Sequence, residues 1–212
     1  MRERKMPWWF KKKEEPREIR ITADHTVISA VGDGLVKLLK EQLVPGIIQG
    51  SDGIGLCKPT DHGDMTLGIY LYDVRECDQI RMGGMQSIDE NYQQYPPMYL
   101  SLYYMITAYS SGDVRYRAEE EQKILGKVMQ VLYDTPVLDS RTLKASQLAD
   151  TDDLRIEYLN MDTEDKMKIW GGVGSPYQLS LFYRITPVEL ESTIRKEVTR
   201  VREIQIHSGG PL

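Results

Sequence analysis

Two eight-residue stretches of this chain are nearly identical: LSLYYMIT at 100–107 and LSLFYRIT at 179–186. Only the fourth and sixth positions differ. Because alternate residues of a strand face opposite sides, each stretch has one apolar face and one mixed face. This pattern predicts two central strands, with helices over the apolar face and a partly polar cover, such as a neighbouring subunit, over the other. The sequence around the two stretches does not repeat, which argues against a duplicated domain.

The segments between and around these strands predict an α+β fold. Apolar residues at helical spacing predict a first helix that begins near Asp24 or Thr26 and ends before Pro45. The expected fold is a mixed, largely antiparallel sheet flanked by two main helices, with N-terminal and C-terminal arms. The remaining predicted elements are strands at 54–59, 65–77, 98–109, 154–160 and 177–186, a loop at 78–97, and helices at 117–134 and 163–170.

Charge and cysteine content limit the classes of function. The chain has 27 basic and 32 acidic residues, a net charge of −5, which argues against nucleic acid as a partner. Cys57 and Cys77 are too few for a disulfide framework and predict reduced thiols in a cytoplasmic protein. No apolar run approaches the roughly 20 residues of a membrane helix, and the basic N-terminus lacks the apolar core of a signal peptide.

The sequence divides into an N-terminal arm at 1–22, an α/β domain at 23–190 and a C-terminal strand or arm at 191–212. The first arm carries an aromatic cluster among basic residues, which favours contact with a protein partner over a solvated tail or a membrane surface. The loop 78–95 and the alternating C-terminal segment supply further candidates. The predicted interface residues are Trp8, Trp9, Phe10, Arg81, Tyr92, Tyr95, Val198, Val201 and Ile204.

Motifs for catalysis or cofactor binding are absent from the sequence. GGVGS at 171–175 follows a predicted helix rather than a strand, so it indicates a helix terminator rather than a phosphate-binding loop. Cys57, His62 and Cys77 lack the paired spacing and the fourth ligand of a structural zinc site. The sequence therefore predicts no enzyme, no cofactor and no metal.

Five blocks in order give the chain a family resemblance. They are ISAVGDGLVKLLKEQL, LGIYLYDVREC, YPPMYLSLYYMITAYS, EEEQKILGKVMQVLYDTPVLD and WGGVGSPYQLSLFYRITPV, within residues 27–200. Together they resemble the cap, or tube-and-sheath terminator, proteins of contractile phage-tail-like injection systems. None of the blocks is a catalytic motif.

The resemblance implies an assembly protein. In that family six copies form a ring on the inner tube, stop tube and sheath growth and join their last layers, so the expected partners are five further copies, the tube protein and the sheath protein. The expected location is the cytoplasm, within the injection particle. Two alternatives stay open: a terminator or connector of a contractile phage tail, and an enzyme whose site is dispersed in sequence.

Overall fold

The computed structural model describes residues 24–77, 83–87, 91–138 and 154–197. Within these ranges the chain forms three helices and nine strands. The helices are α1 (Val27–Leu43), α2 (Val114–Asp134) and α3 (Thr163–Val173). The strands are β1 (Ile54–Leu56), β2 (Leu67–Glu76), β3 (Gln86–Ser87), β4 (Tyr92–Gln94), β5 (Met98–Ala108), β6 (Val137–Leu138), β7 (Leu154–Tyr158), β8 (Ser180–Leu190) and β9 (Arg195–Glu197).

Six strands form the main sheet in the order β1-β2-β5-β8-β7-β6. β1 runs parallel to β2, and every other neighbouring pair is antiparallel. β3, β4 and β9 form a second, antiparallel sheet. The prediction of a mixed, largely antiparallel sheet with flanking helices is confirmed.

Helices α1 and α2 bury their apolar stripes on one face of the main sheet. Val31, Leu35 and Leu39 of α1 join one core with Val128 of α2 and Leu102 of β5. At Gly32, a Cβ atom would lie only 3.0 Å from the Leu56 side chain, so the glycine allows α1 to approach β1 closely. The Asp24 carboxylate accepts the Thr26 backbone N–H just before α1, at 2.9 Å.

The two similar stretches form the central strands β5 and β8, as predicted, and the structure shows that these strands pair with each other. Their antiparallel register pairs Tyr104 with Tyr183, the equivalent residues of the two copies. The serine of each copy therefore meets the threonine of the other. The Thr107 and Ser180 hydroxyls are 2.8 Å apart, and the Ser101 and Thr186 hydroxyls are 3.0 Å apart. The shared serine and threonine positions thus supply a matching hydroxyl pair near each end of the paired stretches.

Two predictions in the middle of the chain were wrong. The segment 78–97 is not wholly a loop, because β3 and β4 lie within it. Helix α2 begins at Val114 rather than Arg117, because the Asp113 carboxylate accepts the Arg115 backbone N–H and caps it. The glutamates at 119–121 consequently lie beyond its first turn.

One helix and one strand also end later in the chain than predicted. Helix α3 continues through Gly171 and Gly172 to Val173 and is capped by Gly174, whose φ of +78° is the left-handed conformation that favours glycine. Strand β8 continues through Pro187 to Leu190. The missing proline N–H is tolerated because β7 pairing ends at Thr186 and the β5–β8 register shifts between Leu100 and Leu102.

Candidate assembly interface

Helix α3 covers half of the mixed face of β5 and β8. Trp170 of α3 is 1% exposed and forms a second, smaller core with Met105 and Phe182. Its ring contacts Tyr177 edge to face, with centroids 6.5 Å apart. Met105 and Phe182, which lie beneath it, are partners across β5 and β8. Each stands at a position at which the two similar stretches differ, so these differences create the apolar site on which α3 docks.

The other half of the mixed face is polar and open. Here Arg184 donates from Nε to Glu157 at 3.0 Å, and the Arg75 guanidinium lies 4.9 Å from the centre of the Tyr103 ring. Asp73 pairs with Arg75 at 2.6 Å. Arg75, Tyr103, Glu157 and Arg184 line a cavity of about 420 Å³. At one end of the mixed face, the cover is therefore α3 of the same chain rather than a neighbouring subunit. The polar end lines the cavity.

Burial and hydrogen bonding shape the ionisation of this face. Burial raises the pKa of Tyr72 to about 12, so its hydroxyl stays protonated near neutral pH. The hydrogen bond to Glu157 raises the pKa of Arg184 above its ordinary value. Tyr72 thus stays neutral, and Arg184 stays positively charged and paired with Glu157. This arrangement suits recognition by shape and hydrogen bonding rather than proton transfer.

Four exposed apolar side chains lie in the second sheet or next to it in the chain: Tyr92 in β4, with Tyr95, Met98 and Ile194 beside the sheet strands. We call this set the small-sheet surface. These side chains are 43%, 41%, 47% and 56% exposed, respectively. The Tyr95 backbone N–H donates to the Ile194 carbonyl at 3.2 Å, and Lys196 Nζ lies 5.4 Å from the centre of the Tyr95 ring. Exposed aromatic and methionine side chains beside a cation are typical of protein interfaces.

Two of the predicted interface residues, Tyr92 and Tyr95, are exposed and belong to this set. Sequence reasoning missed Met98 and Ile194, although their nearness in sequence to a tyrosine cluster and to the predicted C-terminal arm was a usable signal. The other predicted interface residues lie outside the residues that the structure describes: Trp8, Trp9, Phe10, Arg81, Val198, Val201 and Ile204.

A second exposed apolar set on α2 was also missed. Tyr116, Met129 and Tyr133 lie away from the buried stripe of that helix and face solvent. Aromatic residues off the apolar stripe of an amphipathic helix are the sequence signal that identifies such a set.

The cysteines and His62 do not converge on a metal centre. His62 stacks on Tyr109 with ring centroids 3.9 Å apart, and the Cys57 sulfur lies near the same ring, beside Gly68 at one end of β2. Cys77 follows the opposite end, about 30 Å away at the rise of an extended strand. Both cysteines are free thiols. Across the described ranges, no cluster of histidine, cysteine and carboxylate residues has the arrangement of a metal site.

Burial also affects the thiol and phenol groups in this corner. It raises the pKa of the Cys57 thiol and raises that of Tyr109 to about 12. A raised thiol pKa lowers the fraction of reactive thiolate at neutral pH, so Cys57 has the environment of a structural cysteine.

The helices that the structure describes include none long and apolar enough to cross a membrane.

Two solved structures have a similar fold. The first is the sheath/tube terminator in the extended state of an extracellular contractile injection system, PVC, with a TM-score of 0.63 and 15% identity. The match covers 87% of this chain and 64% of that chain. The second is the anti-feeding prophage cap, a tube terminating cap, with a TM-score of 0.57 and 15% identity over 84% of this chain and 60% of that one. Neither description is that of an enzyme.

The sequence comparisons identify the family. No curated protein matches the chain. The family model described as the Pvc16 N-terminal domain matches residues 30–203, which include both central strands, α2, α3, most of α1 and the second sheet. The chain therefore belongs to the Pvc16 N-terminal domain family.

Proposed function

We propose that this chain is a structural cap of a contractile injection system, and that six copies form a ring on the end of the inner tube. The observation that carries the proposal is the family match over residues 30–203. The two fold relatives, a sheath/tube terminator and a tube terminating cap, support it. The matches cover less than two thirds of each relative, so the proposal concerns the function of the part present in this chain.

A closed ring requires a contact that repeats under rotation. The small-sheet surface suits this contact because its aromatic and methionine side chains are exposed in the second sheet or close to it in the chain. β9 adds a second means of association. It pairs with β4 on one side, and no strand of the described chain pairs with its other side. An open strand edge accepts a further strand from a partner.

The proposed division of the chain assigns different contacts to different parts. The α/β domain at 23–190, together with Ile194 and β9, forms the ring and rests on the tube, while the N-terminal arm and the C-terminal arm beyond β9 reach the sheath. The basic and aromatic composition of the N-terminal arm supports this assignment, since aromatic residues anchor interfaces and basic residues steer association.

The molar mass of the purified chain by light scattering, with and without purified tube protein, tests the proposal. We expect a mass of six copies, either in solution or only when tube is present. A strict monomer that does not bind tube refutes the cap function. Electron microscopy of particles assembled with and without the chain adds a second readout, because tubes without their cap should vary in length.

A matched pair of double variants tests the assigned surface. Tyr92→Ser with Tyr95→Ser removes two aromatic contacts of the small-sheet surface and should prevent ring formation. Tyr116→Ser with Tyr133→Ser makes the same chemical change on α2 and should leave the ring intact. If the α2 variant loses the ring and the first variant keeps it, the ring contact lies on α2 and our assignment is wrong.

A further inference from the structure

A cavity of about 490 Å³ lies where β1 ends, between α1 and β2. Its walls are largely apolar and include Ile28 and Gly32 of α1, Leu56 of β1, and Ile69 and Leu71 of β2. An apolar cavity of about 150 Å³ already accommodates a benzene ring. This one therefore has room for two branched aliphatic side chains.

Among the residues that the structure describes, the edge of β2 beside this cavity is unpaired. β1 pairs only with Leu67–Ile69, and within the described ranges no strand pairs with the rest of β2 on that side. Leu71 lies just beyond the last paired residue and also lines the cavity. An open edge presents unpaired backbone N–H and C=O groups that favour a further strand.

The chain itself leads to this edge. His25 and Ile28, at the start of α1, both line the cavity. The residues just before them, 17–22, read REIRIT, so isoleucines at 19 and 21 alternate with polar residues as in a half-buried strand. Ile21 lies four positions before His25, a span of at most about 14 Å. The isoleucines are thus within reach of the cavity.

We propose that residues 17–22 of the same chain add to the open edge of β2 as a further strand and place Ile19 and Ile21 in the cavity. The direct connection to α1 favours the chain's own segment over that of a second copy, because a short tether gives a millimolar effective concentration. The folded domain then begins near residue 17 rather than 23, and the aromatic cluster Trp8–Phe10 remains available to a partner. The inference does not depend on the cap function.

Two truncations and two double variants of the full chain test the proposal by urea unfolding. Deletion of residues 1–15 should leave the midpoint unchanged, whereas deletion of 1–22 should lower it. Ile19→Ser with Ile21→Ser should raise the unfolding equilibrium constant on the order of a hundredfold, because two buried aliphatic side chains lose their contacts. The control, Glu18→Ser with Arg20→Ser on the opposite strand face, should change it by less than about threefold. Equal midpoints for all four variants would overturn the proposal.

Hydrogen–deuterium exchange on the unmodified chain gives a readout that does not depend on any variant folding. The amides of residues 17–22 should exchange at least about tenfold more slowly than those of 1–15, since strand pairing protects them. Exchange of both segments at the unprotected rate would overturn the proposal. Protection that increases with protein concentration would also overturn it, because the strand would then come from a second copy.

Discussion

Replacing Trp170 by alanine tests whether one side chain holds α3 on the sheet. Trp170 is the only buried residue of this eleven-residue helix. A buried tryptophan removes about 150–250 Å² from water, which at about 25 cal/mol per Å² corresponds to about 4–6 kcal/mol. Measured tryptophan-to-alanine costs of about 3–5 kcal/mol agree with this value. We therefore expect the free energy of unfolding to fall by about 4 kcal/mol.

The loss should be local in its structural effect. A helix of this length is marginal without tertiary contacts, and the main core under α1 and α2 does not include Trp170. Hydrogen–deuterium exchange should therefore become fast across α3 while β5 stays protected. Urea unfolding measures the accompanying change in free energy. Met167→Ala, at a position of α3 that is 54% exposed, is the control and should cost less than about 0.5 kcal/mol.

Trp170→Phe separates packing from hydrogen bonding. The indole Nε1 is buried and has no hydrogen-bond partner among the residues that the structure describes. Phenylalanine keeps most of the apolar contact and removes this unpaired donor, so it should cost much less than alanine. The reasoning fails if Trp170→Ala leaves α3 protected from exchange and leaves the urea midpoint at its wild-type value. It also fails if α3 and β5 lose protection together, since the helix would then be part of the main folding unit.

Three further substitutions give sharp expectations. Gly68→Ala should destabilise the chain by about 1–3 kcal/mol in urea unfolding, because its Cβ would lie 2.6 Å from the Cys57 sulfur. Asp113→Ala should lower the thermal midpoint at pH 7. The Arg115 side-chain hydrogen bond lowers the pKa of Asp113 below 3.8, so this stabilisation is present above pH 3.8 and is lost as the pH falls through the folded-state pKa; variant and wild type should converge there in thermal melts. Gly174→Ala should cost about 1–2 kcal/mol by chemical unfolding, because its φ of +78° disfavours a side chain.

The long elements were predictable because their signals are local and strong. The apolar period of α1 and the alternation of β5 and β8 each depend on many residues that point to one structure. β3 and β4 were not predictable in this way. They are two and three residues long and largely polar; β3 pairs with β4, and β4 also pairs with β9, about a hundred residues later. Short strands of this kind depend on tertiary pairing rather than intrinsic preference.

The candidate interface was predictable in part for the same reason. Tyr92 and Tyr95 are close in sequence, so composition alone indicated a shared surface. Ile194 lies about a hundred residues later and joins them only through the pairing of β4 with β9. The polar half of the mixed face likewise depends on Glu157 and Arg184 meeting across neighbouring strands. No local pattern in the sequence specifies such a meeting.

The antiparallel pairing of β5 with its near copy has a consequence for the chain before it folds. The pair has a local pseudo-two-fold axis that passes between Tyr104 and Tyr183, so a strand that fits its near copy also fits itself. Two nascent chains that expose residues 100–107 could pair these segments as antiparallel strands, with the serine of each opposite the threonine of the other. Self-complementary apolar strands promote aggregation when exposed. In the finished fold both strands are interior, with neighbours on each side, so no such edge is presented.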